Sequence, residues 1–149
     1  MNSGPELTAN FLINDSLKRV EIESVNAGEV LLFSKFYKSG YGGSFYMSAE
    51  QKQGEKLSGS IVIKDLRVKG APTLATILAA TSIEGLIDLL ENKGIVFATV
   101  SSDFRVGQNE VEIYNGVASN SALSVTLEGV RSFTENSVSY NGVVSPLYL

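Results

Sequence analysis

Histidine, cysteine and tryptophan are absent from the 149 residues. Without cysteine there is no disulfide framework, no thiolate nucleophile and no Cys-ligated zinc or iron–sulfur site. Without histidine the commonest general base and the commonest metal ligand are gone. Long apolar runs are missing too. A bilayer span needs about 18 or more consecutive apolar residues, and the most apolar region, 71–90, is broken by Thr, Ser, Glu, Gly and Asp. No transmembrane span is expected. Met1 to Ala9 has neither the basic start nor the apolar stretch of a signal peptide. There is no cationic excess: twelve basic against sixteen acidic residues give a formal charge of −4. Nucleic-acid binding rests on neutralising phosphates, so this balance argues against it.

What is present is a globular balance, 44% apolar and 19% charged, in a chain long enough to bury one core. We read residues 1–149 as a single module. Its last stretch, Tyr140 to Leu149, is still extended and apolar, with no polar tail. The chain is therefore expected to be a piece of a longer protein.

Most of the sequence reads as strands. In Glu110-Val-Glu-Ile113 apolar and charged residues alternate strictly. Leu123, Val125 and Leu127 alternate with Ser124, Thr126 and Glu128; Val138, Tyr140 and Val144 oppose Ser137, Ser139 and Asn141. Period two means one apolar and one wet face, which suits an antiparallel sheet. Residues 6–69 are similar but looser. Val20 and Ile22 alternate with Glu21 and Glu23, and Val30-Leu-Leu-Phe33 is a continuous apolar run. Leu57, Ile61 and Ile63 share one parity, then the phase slips before Leu66 and Val68, which marks a bulge near Lys64-Asp65. Asn115-Gly116 and Asn141-Gly142 fit tight turns or irregularities within strands, and both readings stay open.

Residues 72–92 differ. Pro72 suits a first helical turn. Leu74, Ile77 and Leu78 have helical spacing, as do Leu86, Leu89 and Leu90. Asn92-Lys93-Gly94 is a stop signal. Gly85 weakens the centre, so a bend over Thr81 to Glu84 would give two short helices. The stripe is apolar enough that it must cover a sheet face or close one end.

Candidate chemistry is thin. Glu110 with Glu112, and Glu21 with Glu23, are carboxylate pairs, but the same pattern describes a solvated sheet face. Ser39-Gly-Tyr-Gly-Gly-Ser-Phe45 lacks the Lys-Ser/Thr ending of a phosphate loop and reads as a turn. Ser82, Ser34 and Ser39 have no activating base at a useful spacing, and Ser34-Lys35 does not supply one. Asp65 and Asp103 fit turn capping better than calcium ligation. Asn14-Asp-Ser16 matches a glycosylation sequon, a pattern common by chance. No catalytic residue, metal site or cofactor is expected. The apolar strand faces remain. On pattern alone they are either a core covered by the helix or a half-open groove for acyl chains, each buried methylene being worth about 0.8 kcal/mol.

Several short motifs fall in a recognisable order. They are Leu57-Ser-Gly-Ser-Ile-Val-Ile-Lys-Asp-Leu66, Gly70-Ala-Pro-Thr-Leu-Ala-Thr-Ile-Leu-Ala-Ala-Thr-Ser-Ile-Glu-Gly-Leu86 and Asn92-Lys-Gly-Ile-Val-Phe97. Tyr114-Asn-Gly-Val-Ala118, Leu127-Glu-Gly129 and Tyr140-Asn-Gly-Val-Val-Ser-Pro-Leu-Tyr148 follow. The set resembles the C-terminal region of AsmA-like proteins, particularly the YhdP type, over residues 55–149. One departure is Asn120-Ser-Ala-Leu-Ser124, where the family often has a "GPALG" stretch. The resemblance implies a Gram-negative envelope protein anchored in the inner membrane by an N-terminal helix. Its periplasmic part would be a long, curved antiparallel sheet with an apolar inner groove, implicated in moving phospholipid toward the outer membrane. The family has no catalytic residues to carry over.

The expected fold is therefore mainly β: a curved, groove-like antiparallel sheet with one helical insertion around residues 72–92. The expected role is non-enzymatic lipid handling. The expected partners are phospholipid acyl chains, neighbouring modules of the same parent chain and an envelope protein. From shared alternation, the candidate lining residues are Ile61, Ile63, Phe97, Val111, Ile113, Leu123, Val125, Leu127, Val138 and Tyr140. The competing expectation is a structural or interaction domain. Its sheet face would be packed by Leu74, Ile77, Leu78, Leu86 and Leu89, and its edges would recruit neighbours by strand addition.

Overall fold

The computed structural model describes residues 4–80 and 85–146. Nine strands form one antiparallel sheet that curves and does not close. They are β1 (Thr8–Ile13), β2 (Leu17–Ser24), β3 (Gly40–Tyr41), β4 (Ser44–Lys52), β5 (Ser58–Val68), β6 (Ile95–Val106), β7 (Glu110–Ser119), β8 (Leu123–Ser132) and β9 (Ser137–Pro146). The order is β1-β2-β4-β5-β6-β7-β8-β9, with the short β3 paired to the end of β5. Apart from the excursion before β4 and the helices before β6, each strand turns directly into its neighbour. Period two in the sequence is thus translated into one face of the sheet.

Irregularities bend the strands at defined places. Asp65 adopts a positive φ of 56°, so the inward phase steps from Ile63 to Leu66. The β5–β6 register holds across the step, pairing Ile63 with Val100 and Leu66 with Phe97. Both strands therefore change phase together, and the slip read at Lys64-Asp65 is a two-strand kink. Asn115 has φ 51°, and the β7–β8 register shifts between Ile113 and Gly116. Asn115-Gly116 is a bulge, not a hairpin turn. Gly142 lies inside β9, where the register with β8 is unbroken. A Cβ there would sit 2.5 Å from the Thr126 carbonyl oxygen, so that position is neither turn nor bulge but a close approach of two backbones.

Three helices occur among the described residues. α2 (Pro72–Ala80) and α3 (Leu86–Asn92) fill the expected insertion. Gly85, with φ 82°, caps α3 in the left-handed conformation. Gly94, with φ 84°, ends α3 by donating its N–H to the Leu89 carbonyl at 2.7 Å. The bend expected over Thr81 to Glu84 lies outside the described residues, as do Ser82 and the side chain of Ile77.

The helix α1 (Ala27–Phe33) corrects the sequence reading, which took Val30-Leu-Leu-Phe33 as part of a strand region. Asn26 caps it, its side chain accepting from the Glu29 N–H at 3.2 Å. The first turn docks on the glycine loop: Ala27 and Gly28 N–H donate to the Gly43 and Gly42 carbonyls. A Cβ on Gly28 would lie 2.6 Å from the Gly40 oxygen. Only glycine lets helix and loop come this close.

The core lies on the concave face. At one end Leu66, Val68, Ile95, Phe97, Leu123, Val125 and Val144 pack under α2 and α3, whose Leu78 and Leu90 are fully buried. Toward the other end Ala49, Phe104 and Val111 form a smaller cluster with Val20, Leu57, Ile61, Val106 and Ile113.

Candidate functional site

Between these two clusters the concave face keeps an apolar groove of about 600 Å³, within the roughly 300–1,000 Å³ range of small-molecule sites. Alternating residues of β4 to β9 form its floor: Phe45, Met47 and Ala49; Ile61 and Ile63; Val100 and Phe104; Val111 and Ile113; Val125 and Leu127; Val138 and Tyr140. Val20 and Ile22 extend it onto β2. Val30, Leu31, Phe36 and Tyr37, from α1 and the segment after it, supply another wall. Polar groups at the lining are few, among them Ser34, Ser101, Ser102 and Asn141.

A strap crosses this face. The Tyr140 hydroxyl on β9 donates to the Phe36 carbonyl at 2.8 Å, joining residues 104 apart in sequence. Phe36 packs against the smaller cluster and Tyr37 against the larger. Burial pushes both Tyr37 and Tyr140 up to about 12, and each phenol stays protonated far above the usual range. The hydroxyl of Ser39 acts against the shift at Tyr37. At Tyr140 the neighbouring Tyr37 adds to it and Arg131 opposes it.

Nine of the ten residues expected to line a groove do so: Ile61, Ile63, Phe97, Val111, Ile113, Val125, Leu127, Val138 and Tyr140. The exception is Leu123. It keeps the inward parity, but at 1% exposure it is packed in the core at the covered end. Several lining residues are themselves nearly buried, Val125 at 3% among them. They build the groove floor and stabilise the sheet at once. Leu89, expected to fill the groove, is 39% exposed; Leu90 takes the inward place. The α1 wall and the β2 and β4 contributions were missed as lining. Phe45, Met47 and Ala49 carry the same period-two signal as β8.

The acidic candidates do not assemble. Glu110 and Glu112 are exposed on the outer face, with Glu112 3.7 Å from Arg105. Glu21 and Glu23 lie on the face opposite Val20 and Ile22. Asp103 accepts from the Asn115 side chain beside the β7 bulge, and Asn14 closes the β1–β2 turn by accepting from Ser16 and Leu17 N–H. No helix among the described residues is long and apolar enough to cross a membrane. No family model, no curated protein and no solved structure matches this chain.

Proposed function

We propose that this chain is a non-enzymatic lipid-handling module that holds phospholipid acyl chains along its concave face. The observation that carries the reading is the groove itself, apolar over most of its lining and spread across seven strands, β2 and β4 to β9. Apolar chains gain from leaving water without any specific polar partner, so such a surface can let them slide. The outer face keeps Glu112, Thr126 and Ser139 exposed. The motif order that resembles AsmA-like proteins supports placing the module in the periplasmic part of an inner-membrane-anchored envelope protein, on a phospholipid path between the two membranes.

Native mass spectrometry of the gently purified chain, followed by organic extraction, tests this. Stoichiometric phospholipid is expected. Ile113→Trp narrows the groove without removing apolar surface, so it should lower occupancy while circular dichroism is unchanged. A clean apo mass in folded protein, even after incubation with phospholipid vesicles, would overturn the reading.

A second reading rests on the sheet edges. All six residues of β1 are exposed, with Phe11 and Ile13 each at 69%. An open, apolar edge strand is a template for strand addition. In this reading the module is a structural link joined to neighbouring modules of the same parent chain, and the apo mass is the expected result.

A further inference from the structure

Arg131 is the only charged side chain buried among the described residues, at 6% exposure. Its position is unexpected. It follows Leu123, Val125, Leu127 and Gly129 at the same inward parity of β8. Its register partners are Val111 on β7 and Val138 on β9, both of which line the groove. Its side chain thus starts on the apolar face, at the end away from α2 and α3, beside the groove lining, and its guanidinium turns toward the β8–β9 turn.

Among the described residues it has no carboxylate partner. The two ion pairs among the described residues are Arg19–Glu50 and Arg105–Glu112. The Arg131 guanidinium donates from Nη1 to the Ser132 carbonyl at 2.6 Å. It donates from Nη2 to Asn136 Oδ1 at 3.3 Å, beyond the usual hydrogen-bond range. It lies over the exposed ring of Phe133. Its Nε–H is the one buried side-chain nitrogen or oxygen among the described residues with no hydrogen-bond partner. A buried cation with an unused donor is costly unless something negative completes it. The guanidinium edge presents parallel N–H donors that match an oxyanion in bidentate fashion.

We propose that Arg131 receives the phosphodiester of a phospholipid whose acyl chain lies in the groove. This rests on the lipid-handling reading and adds to it a polar end and a preference for phosphate-bearing lipids. The long Asn136 contact is the one an incoming phosphate oxygen replaces. The exposed β8–β9 turn, 133–136, is the side from which the headgroup stays wet.

The test compares three probes on the intact chain: phosphatidylglycerol, diacylglycerol with the same acyl chains, and inorganic phosphate. The native chain should bind phosphatidylglycerol at least tenfold more tightly than diacylglycerol. Arg131→Gln should remove that preference and leave diacylglycerol binding unchanged. Equal affinity of the native chain for the two lipids would overturn the proposal, and this outcome does not depend on the variant folding. So would inorganic phosphate that binds tightly, is lost in Arg131→Gln and fails to compete with phosphatidylglycerol, because Arg131 would then hold a free anion and not the headgroup. Should neither lipid bind, the lipid-handling reading itself fails and this inference falls with it. Diacylglycerol binding without a phosphate preference would sink only the inference.

Discussion

Tyr140→Phe removes one hydroxyl and tests the strap over the groove. In the native chain that hydroxyl reaches the Phe36 carbonyl at 2.8 Å across the concave face. The ring can stay in place, so the apolar packing survives. What is lost is one hydrogen bond, with a net worth of about 0.5–1.5 kcal/mol. The Phe36 carbonyl belongs to a half-buried residue, so water can reach it and the unsatisfied-acceptor penalty is partial. We expect a loss near 1 kcal/mol, which for a chain of this length lowers Tm by about 2–4 °C. Urea denaturation measures it as a lower midpoint at unchanged slope.

The same variant has a signature in alkali. Burial raises Tyr37 and Tyr140 to about 12 in the fold, against about 10 in the unfolded chain. Between these values the native state keeps protons that the unfolded state has lost. Stability is then fully present below about pH 10 and falls as pH rises toward 12. At about 1.4 kcal/mol per unit, and discounted for partial exposure, each phenol accounts for about 1–2 kcal/mol of that fall. Tyr140→Phe removes one of the two, so its alkaline decline should be about half as deep. An unchanged midpoint at neutral pH together with an unchanged alkaline profile would refute both the strap bond and the burial argument.

Leu90→Ala should cost about 2–5 kcal/mol, because Leu90 on α3 is fully buried in the core between helix and sheet; Leu89→Ala, at 39% exposure, should cost less than about 1 kcal/mol, and thermal melts of the pair check the inward assignment. Gly28→Ala places a methyl group against the Gly40 oxygen and should cost at least about 1–3 kcal/mol, with proteolysis quickening first in the α1 segment. Arg19→Ala breaks an exposed ion pair with Glu50 and should change stability by no more than about 1 kcal/mol, an effect that added salt should shrink.

How far the sequence predicts this molecule depends on whether one residue or many decide the outcome. In β7 to β9 many residues decide together. A one-residue slip would turn Leu123, Val125 and Leu127 out to water, so alternation fixes the face. The α2–α3 insertion was legible for a similar reason, since Pro72, the leucine spacing and Gly94 agree. The short helix α1 had no such redundancy. Seven residues are too few for helical periodicity to stand out, and Val30 to Phe33 are equally apolar in a strand. Its sequence mark is local, Asn26 with Glu29 three residues on, the capping pattern that precedes a first turn. What holds it is tertiary: Ala27 is buried in the core with Val30 and Leu31 packed against it, and the Ala27 and Gly28 N–H groups bond the Gly43 and Gly42 carbonyls, contacts between residues that sequence spacing does not link. Arg131 shows the converse case. Period two places it correctly on the inward face, where a lone charge breaks the pattern that positions it. Such a break has physical content: among the described residues no carboxylate pairs with that charge, and its register partners Val111 and Val138 line the groove in which we propose a phospholipid lies.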